Sequence, residues 1–179
     1  MDIEDHLFKN IKFLKSPNFN ERPDEENISL IVIHCISLPP KKYGGNYVEN
    51  FFLNKLCISD HEYFMKIKDL KVSPHLYIKR DGEIIQFIPF NKRAWHAGES
   101  NFRGVSNCND YSIGIELEGA EDDFFSKAQY SALIRVTKVI IKKYPLINKQ
   151  NIIGHSDISP GRKSDPGKNF EWGSYLESI

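Results

Sequence analysis

Three side chains of this 179-residue chain stand where a polar group needs a reason to be. His34 closes the run "LIVIH" and His155 closes the run "NIIGH". Asp165 follows ten residues after His155, across a loop punctuated by Pro160, Gly161 and Pro166. An imidazole buried in a strand loses water and needs a hydrogen bond or a metal in its place. Two His and one carboxylate, brought together by a rigid loop, form the protein donor set of a catalytic zinc site, with a fourth position left for water. Spacing alone leaves the plainer alternative standing for each residue: a hydrogen-bonded core His, or a loop Asp in solvent. No compact pattern such as HExxH narrows the choice.

Such a site also needs a base and a group to hold developing negative charge. "YSIGIELEG" supplies Glu116 and Glu118, which share one face of a regular strand. Glu116 sits among Ile113, Ile115 and Leu117 and is the carboxylate expected to be buried, the alternative being a solvated strand end. Lys163 lies two residues before Asp165 and can project toward a shared ion; like Arg162, it can also be a solvated loop charge. Asp157 suits a turn bonded to its own loop. "RAWHAGES" places Trp95, His96 and Ala97 in a loop suited to a sugar- or peptide-facing wall, or else to a core Trp beside an exposed His. Strand alternation turns Cys35 away from His34, as a small buried apolar residue.

The elements that must position these residues are partly visible. "SLIVIHCIS" reads as a central strand buried on both faces. "NYVENFFLNKLC" carries apolar residues at 48, 51, 52 and 56 and reads as a short helix. "HLYIKRDGEIIQFI" reads as a hairpin turning at Asp81-Gly82. Residues 111–117 form a further strand, and Ser126 caps a helix running to about Lys143, with positions 130, 133, 134, 137, 140, 141 and 144 on its apolar face. "NIIGH" reads as a short strand and "NFEWGSYLESI" as a last short helix. Residues 1–27 read as an irregular lead-in. Interspersed strands and helices with a hairpin predict one α/β domain over residues 1–179, its sheet mixed.

Lys+Arg and Asp+Glu both number 24, so no overall basic field points to nucleic acid. No apolar run approaches the roughly 18 residues of a membrane span. The N-terminus lacks the pattern of an export signal, so no membrane partner and a cytoplasmic location are expected. Cys35, Cys57 and Cys108, odd in number and irregular in spacing, suit reduced thiols.

Four stretches, "LIVIHCISLPPKKYGG", "HLYIKRDGEIIQFIPFNKRAWHAG", "CNDYSIGIELEG" and "GHSDISPGRKSDPG", occur in an order that resembles the zinc-dependent N-acetylmuramoyl-L-alanine amidases, from about Ser16 to Trp172. The resemblance implies a single α/β domain with a central mixed β-sheet flanked by helices, and Zn2+ as cofactor. It implies His34, His155 and Asp165 as metal ligands, Glu116 as general base and Lys163 as the group stabilising the transition state. Pro74 stands where phage relatives carry a Tyr just before His75, so Glu116 is left to carry proton transfer and His75 is expected to be structural. Cys35 replaces a frequent Asn, and Lys71 and Asn107 stand at places associated with gripping the peptide's carboxylates. With Trp95, His96 and Ala97, Lys71 and Cys35 complete the candidate substrate contacts. The implied reaction is cleavage of the lactyl–L-alanine amide of 1,6-anhydro-N-acetylmuramyl peptides in cytosolic peptidoglycan recycling. A peptidoglycan-binding module without turnover, and a lytic amidase of intact wall, stand as alternatives. A monomer is expected.

Overall fold

The β-branched run that carries His34 lies near the middle of the main sheet, and the rest of the fold is arranged around it. A computed structural model describes residues 1–179. Its main sheet has strands β1 (Lys12–Phe13), β2 (Leu30–Ile36), β3 (Leu76–Ile78), β4 (Ile84–Gln86), β5 (Ser112–Glu118) and β6 (Ile152–Gly154). They lie in the spatial order β6-β2-β5-β3-β4-β1. All neighbours are parallel except the β3–β4 hairpin, so the sheet is mixed as expected. The hairpin turns through Arg80, Asp81 and Gly82, with the Lys79 amide bonded to the Glu83 carbonyl at 2.9 Å. Gly82 takes φ +87°, a left-handed conformation that glycine adopts without steric cost.

β2 and β5 pair in parallel over their whole seven-residue length, with Glu116 directly opposite His34. Because side chains alternate, this register puts both residues on one face. The opposite face carries Ile31, Ile33, Ile113, Ile115 and Leu117 into the largest core cluster. Helix α3 (Lys127–Lys143) and helix α5 (Trp172–Ser178) cover that face through Leu133, Val136, Ile140 and Tyr175. On the His34 face, helices α1 (Tyr47–Phe52) and α2 (Phe64–Ile67) bury Val48, Phe52 and Phe64 against Tyr77 and Ile85.

α3 starts as its sequence dictates. Ser126 Oγ accepts the Gln129 amide at 3.0 Å, and Gln129 Oε1 accepts the Ser126 amide at 3.0 Å. The buried face is Gln129, Ala132, Leu133, Val136, Thr137 and Ile140, rotated from the expected one. Thr137 and Gln129 are drawn inward by partners: the Tyr175 hydroxyl at 2.7 Å, and the Ile78 and Glu118 carbonyls. Tyr130, Ile134 and Ile141 are left half-buried.

Residues 1–27 are not an irregular lead-in. They contain Ile3–Glu4 paired with Leu7–Phe8, the edge strand β1, and Phe19–Glu21 paired with Lys92–Ala94. Two- and three-residue pairings carry no periodic signal, which is why the composition reads as loop. Arg22 is almost completely buried and donates to the carbonyls of Phe90, Asn109, Asp110 and Ser112. It ties this segment to the strand that carries Glu116.

Ser126→Ala removes the cap and also the 2.6 Å bond from Ser126 Oγ to the Arg80 carbonyl. The expected loss is about 1 kcal/mol of unfolding free energy in a denaturant titration. An unaltered midpoint would remove the cap from the account of α3.

Candidate active site

His34 leaves the sheet from β2 into a region it shares with His155 and Asp165. His155 opens a one-turn helix, α4 (His155–Ile158), directly after β6, rather than ending the strand. Asp157 Oδ2 accepts the Gly154 amide at 2.8 Å, so Asp157 is the turn residue its alternative reading describes. The loop after α4 returns Asp165 to the start of the helix, where the Ser156 amide donates to the Asp165 carbonyl at 3.0 Å. His34, His155 and Asp165 are all buried.

The three donor atoms form a triangle. Nδ1 of His34 lies 2.9 Å from Nδ1 of His155, and each lies 3.0 Å from Asp165 Oδ2. A carbonyl only accepts, so the 2.9 Å contact of His155 Nε2 with the Ala97 carbonyl puts the proton on Nε2 and the lone pair on Nδ1. On the other side His34 Nε2 meets His96 Nδ1 at 2.9 Å, and His96 Nε2 meets Ser112 Oγ at 3.1 Å. With each imidazole of this relay donating through Nε2, Nδ1 of His34 also carries a lone pair. Burial pushes His34 down to about 4, against the opposing pull of the Asp165 carboxylate, so it is neutral at pH 7. Burial alone would raise the Asp165 carboxyl, but the His155 and His34 imidazoles beside it outweigh that and hold it well below the usual carboxylate range. Two imidazole nitrogens and one carboxylate oxygen, nearly dry and mutually in contact, are the donor chemistry of zinc. One zinc ion could touch all three corners at the usual distances of about 2.0–2.2 Å.

Beside the triangle is a cleft of about 1140 Å³, larger than the roughly 300–1,000 Å³ of ordinary small-molecule pockets. Glu116 lies on it, half-buried, with its Oε2 occluded and without a hydrogen-bond partner. Burial raises the Glu116 carboxyl well above its ordinary value and the Asp165 charge adds to this, while Lys163 pulls it back. Lys163 is exposed and lines the same cleft. Its charge also acts on His34. Glu118 is committed elsewhere: its two oxygens accept the amides of Gly44 and Arg80 at 2.6 and 2.9 Å.

Trp95 and His96 both line the cleft, and the Trp95 indole N–H donates to Asn20 Oδ1 at 2.6 Å. Cys35 also reaches the cleft, but packs against the core cluster on the other sheet face, and burial pushes its thiol up. Ala97, Lys71 and Asn107 are not brought to the cleft wall. The Ala97 side chain packs with Leu30, Val32 and Ile158. Lys71 is exposed beside a separate small hollow with Leu56, Ile58 and Lys68. Asn107 is exposed in a left-handed turn at φ +57°. His75 is buried and structural: its Nδ1 accepts the Gly114 amide at 3.1 Å and its Nε2 contacts the Lys92 carbonyl at 3.0 Å. Sequence reasoning missed Arg162, whose guanidinium donates to the carbonyls of Ala97 and Glu99 at 2.7 and 2.6 Å.

The sequence profile of the N-acetylmuramoyl-L-alanine amidase family matches residues 24–168. The 1,6-anhydro-N-acetylmuramyl-L-alanine amidase AmpD of Haemophilus influenzae is 52% identical over 178 residues, covering 99% of this chain and 97% of that one. A crystal structure of a selenomethionine AmpD derivative superposes with TM-score 0.97 at 44% identity, covering 100% of this chain and 99% of that one. The amidase AmiD of Escherichia coli, in complex with the substrate anhydro-N-acetylmuramic acid-L-Ala-D-γ-Glu-L-Lys, matches with TM-score 0.63 at 31% identity, over 85% of this chain and 57% of that one.

Asp165→Ala removes one corner of the donor triangle. The variant should lose stoichiometric zinc after gel filtration in metal-free buffer, because each ligand contributes to the site. Zinc kept at one ion per chain would take Asp165 out of the donor set.

Proposed function

Because the chain belongs to the N-acetylmuramoyl-L-alanine amidase family, we propose that its cleft hydrolyses the amide between the lactyl group of 1,6-anhydro-N-acetylmuramic acid and L-alanine. The observation that carries this reading is the pairing of Glu116 opposite His34 across β5 and β2, which puts an occluded carboxylate beside the donor triangle in one large cleft. The protein is an amidase of anhydro-muramyl peptides, as its kinship with the AmpD and AmiD enzymes requires.

His34, His155 and Asp165 would hold zinc. Bound there, zinc supplies Lewis-acid polarisation of a carbonyl and acidification of water. Glu116 accepts a proton as the water oxygen bonds to the carbonyl carbon. It then delivers a proton to the alanine nitrogen as the carbon–nitrogen bond breaks. Its desolvated position makes it a stronger base than an exposed carboxylate. Lys163 holds the negative charge that develops on the carbonyl oxygen, a fixed charge needing no reorganisation at the moment of reaction. Trp95 and His96 contribute walls for the sugar and the first peptide residues, with Cys35 at the edge. We place the reaction in the cytoplasm, in the recycling of wall fragments. The three cysteines are free thiols, as a reducing compartment favours, and no helix is long and apolar enough to cross a membrane.

Activity on soluble anhydromuropeptide compared with intact sacculi tests the substrate. Strong preference for the soluble fragment is expected, and equal or greater activity on sacculi would move the reading to a lytic amidase. Glu116→Gln should keep zinc and lose about 10²–10⁴-fold in kcat. Because Glu116 must be deprotonated to accept a proton, wild-type activity should fall on the acid side at a pH above the ordinary carboxylate range, and that limb should vanish in the residual activity of Glu116→Gln. Wild-type turnover in this variant would remove Glu116 from the reaction. Lys163→Ala should lower kcat by about 10²–10³-fold with KM little changed. A change confined to KM would make Lys163 a binding residue.

A further inference from the structure

The two histidines of the donor triangle are oriented by adjacent residues of one loop. The His96 ring meets His34 Nε2 at 2.9 Å, and the Ala97 carbonyl accepts from His155 Nε2 at 2.9 Å. One residue acts through its side chain and its neighbour through its main chain, so any shift of this dipeptide misaims both imidazoles together. The two amides of the dipeptide are held by one atom. Asn109 Oδ1 accepts the amide of His96 at 3.1 Å and the amide of Ala97 at 2.8 Å.

Asn109 is well fixed for this task. It is buried in a single-turn helix, Cys108–Asp110, just before β5, and the Arg22 guanidinium donates to its carbonyl at 3.0 Å. Strand β5 makes room for the arrangement. A Cβ at Gly114 would come within 2.4 Å of the His96 ring, so only glycine lets that ring lie against the strand. Arg162 adds a second donor to the Ala97 carbonyl at 2.7 Å.

We propose that Asn109 is a positioning residue of the metal site: through the His96–Ala97 segment its side-chain oxygen sets the aim of both His34 and His155. This rests on the reading of His34, His155 and Asp165 as zinc ligands. Outer groups that orient ligating histidines typically change metal affinity by about 10–100-fold when removed. Both bonds at Asn109 are accepted by Oδ1, an atom that aspartate keeps.

The test is zinc affinity, measured by competition with a chromophoric chelator, on wild type, Asn109→Ala and Asn109→Asp, alongside thermal melting of each metal-free protein. Asn109→Ala should bind zinc about 10–100-fold more weakly while still folded at the assay temperature, and Asn109→Asp should return to near the wild-type value. A merely structural role would lower the melting temperature and leave the zinc affinity of the folded protein unchanged. That result, or an Asp variant as weak as the Ala variant, overturns the proposal. If Asn109→Ala does not fold, His96→Phe takes its place, removing the ring partner of His34 Nε2. Wild-type zinc affinity in that variant overturns the proposal too. Wild-type protein that binds no zinc would instead sink the ligand reading on which the proposal rests.

Discussion

Everything else in this structure answers to one local problem: three electron-pair donors, two imidazole nitrogens and a carboxylate oxygen, held about 3 Å apart where water barely reaches. Such a group is costly to bury unless a cation or shared protons compensate it. The protein maintains it by tethering the far side of each imidazole. His155 is bound to a main-chain carbonyl, and His34 to a second imidazole backed by a serine hydroxyl. These tethers fix the orientation of both imidazoles.

The sheet is the rigid part of the answer. β2 delivers His34 and β5 delivers Glu116 in fixed register, so the separation of the two side chains is set by strand pairing rather than by a loop. The long parallel pairing has an apolar layer on its other face, where α3 packs, and this anchors the pair. The remaining parts come from loops braced at several points: α4 and its following turn bring His155 and Asp165, and the 93–100 segment brings Trp95 and His96. The N-terminal segment, through Arg22 and Asn20, braces this last group from outside. Paired strands carry His34 and Glu116, and braced loops finish the cleft.

Much of this was legible in the residues. His34 and His155 stood out because polar side chains ended apolar runs, Asp165 because a Pro- and Gly-punctuated loop links it to His155, and the structure brings the three together. The strand alternation that put Glu116 and Glu118 on one face and turned Cys35 away from His34 also holds, because β2 and β5 carry no bulge, while the register that sets Glu116 opposite His34 comes from the structure alone. The hairpin and the capped helix α3 were visible because their turn and cap chemistry is local. What sequence could not show depends on long-range geometry. Ala97 looks like a cleft residue beside Trp95, yet its side chain is in the core and its carbonyl does the work. Arg162 looks like a solvated charge until its carbonyl partners sixty residues away are known. Asn109 carries no local mark at all, since an Asn before a strand usually belongs to its own turn. The short pairings of residues 1–27 lie below the length at which alternation can be read.

The most direct measurement strips the protein of metal and titrates zinc back, while mass spectrometry follows anhydro-N-acetylmuramic acid-L-Ala-D-γ-Glu-L-Lys. The account predicts no cleavage in the stripped protein, and free anhydro-N-acetylmuramic acid and tripeptide released in proportion to added zinc up to one ion per chain. Full turnover without metal, or a zinc-loaded protein that leaves this amide intact, would contradict it.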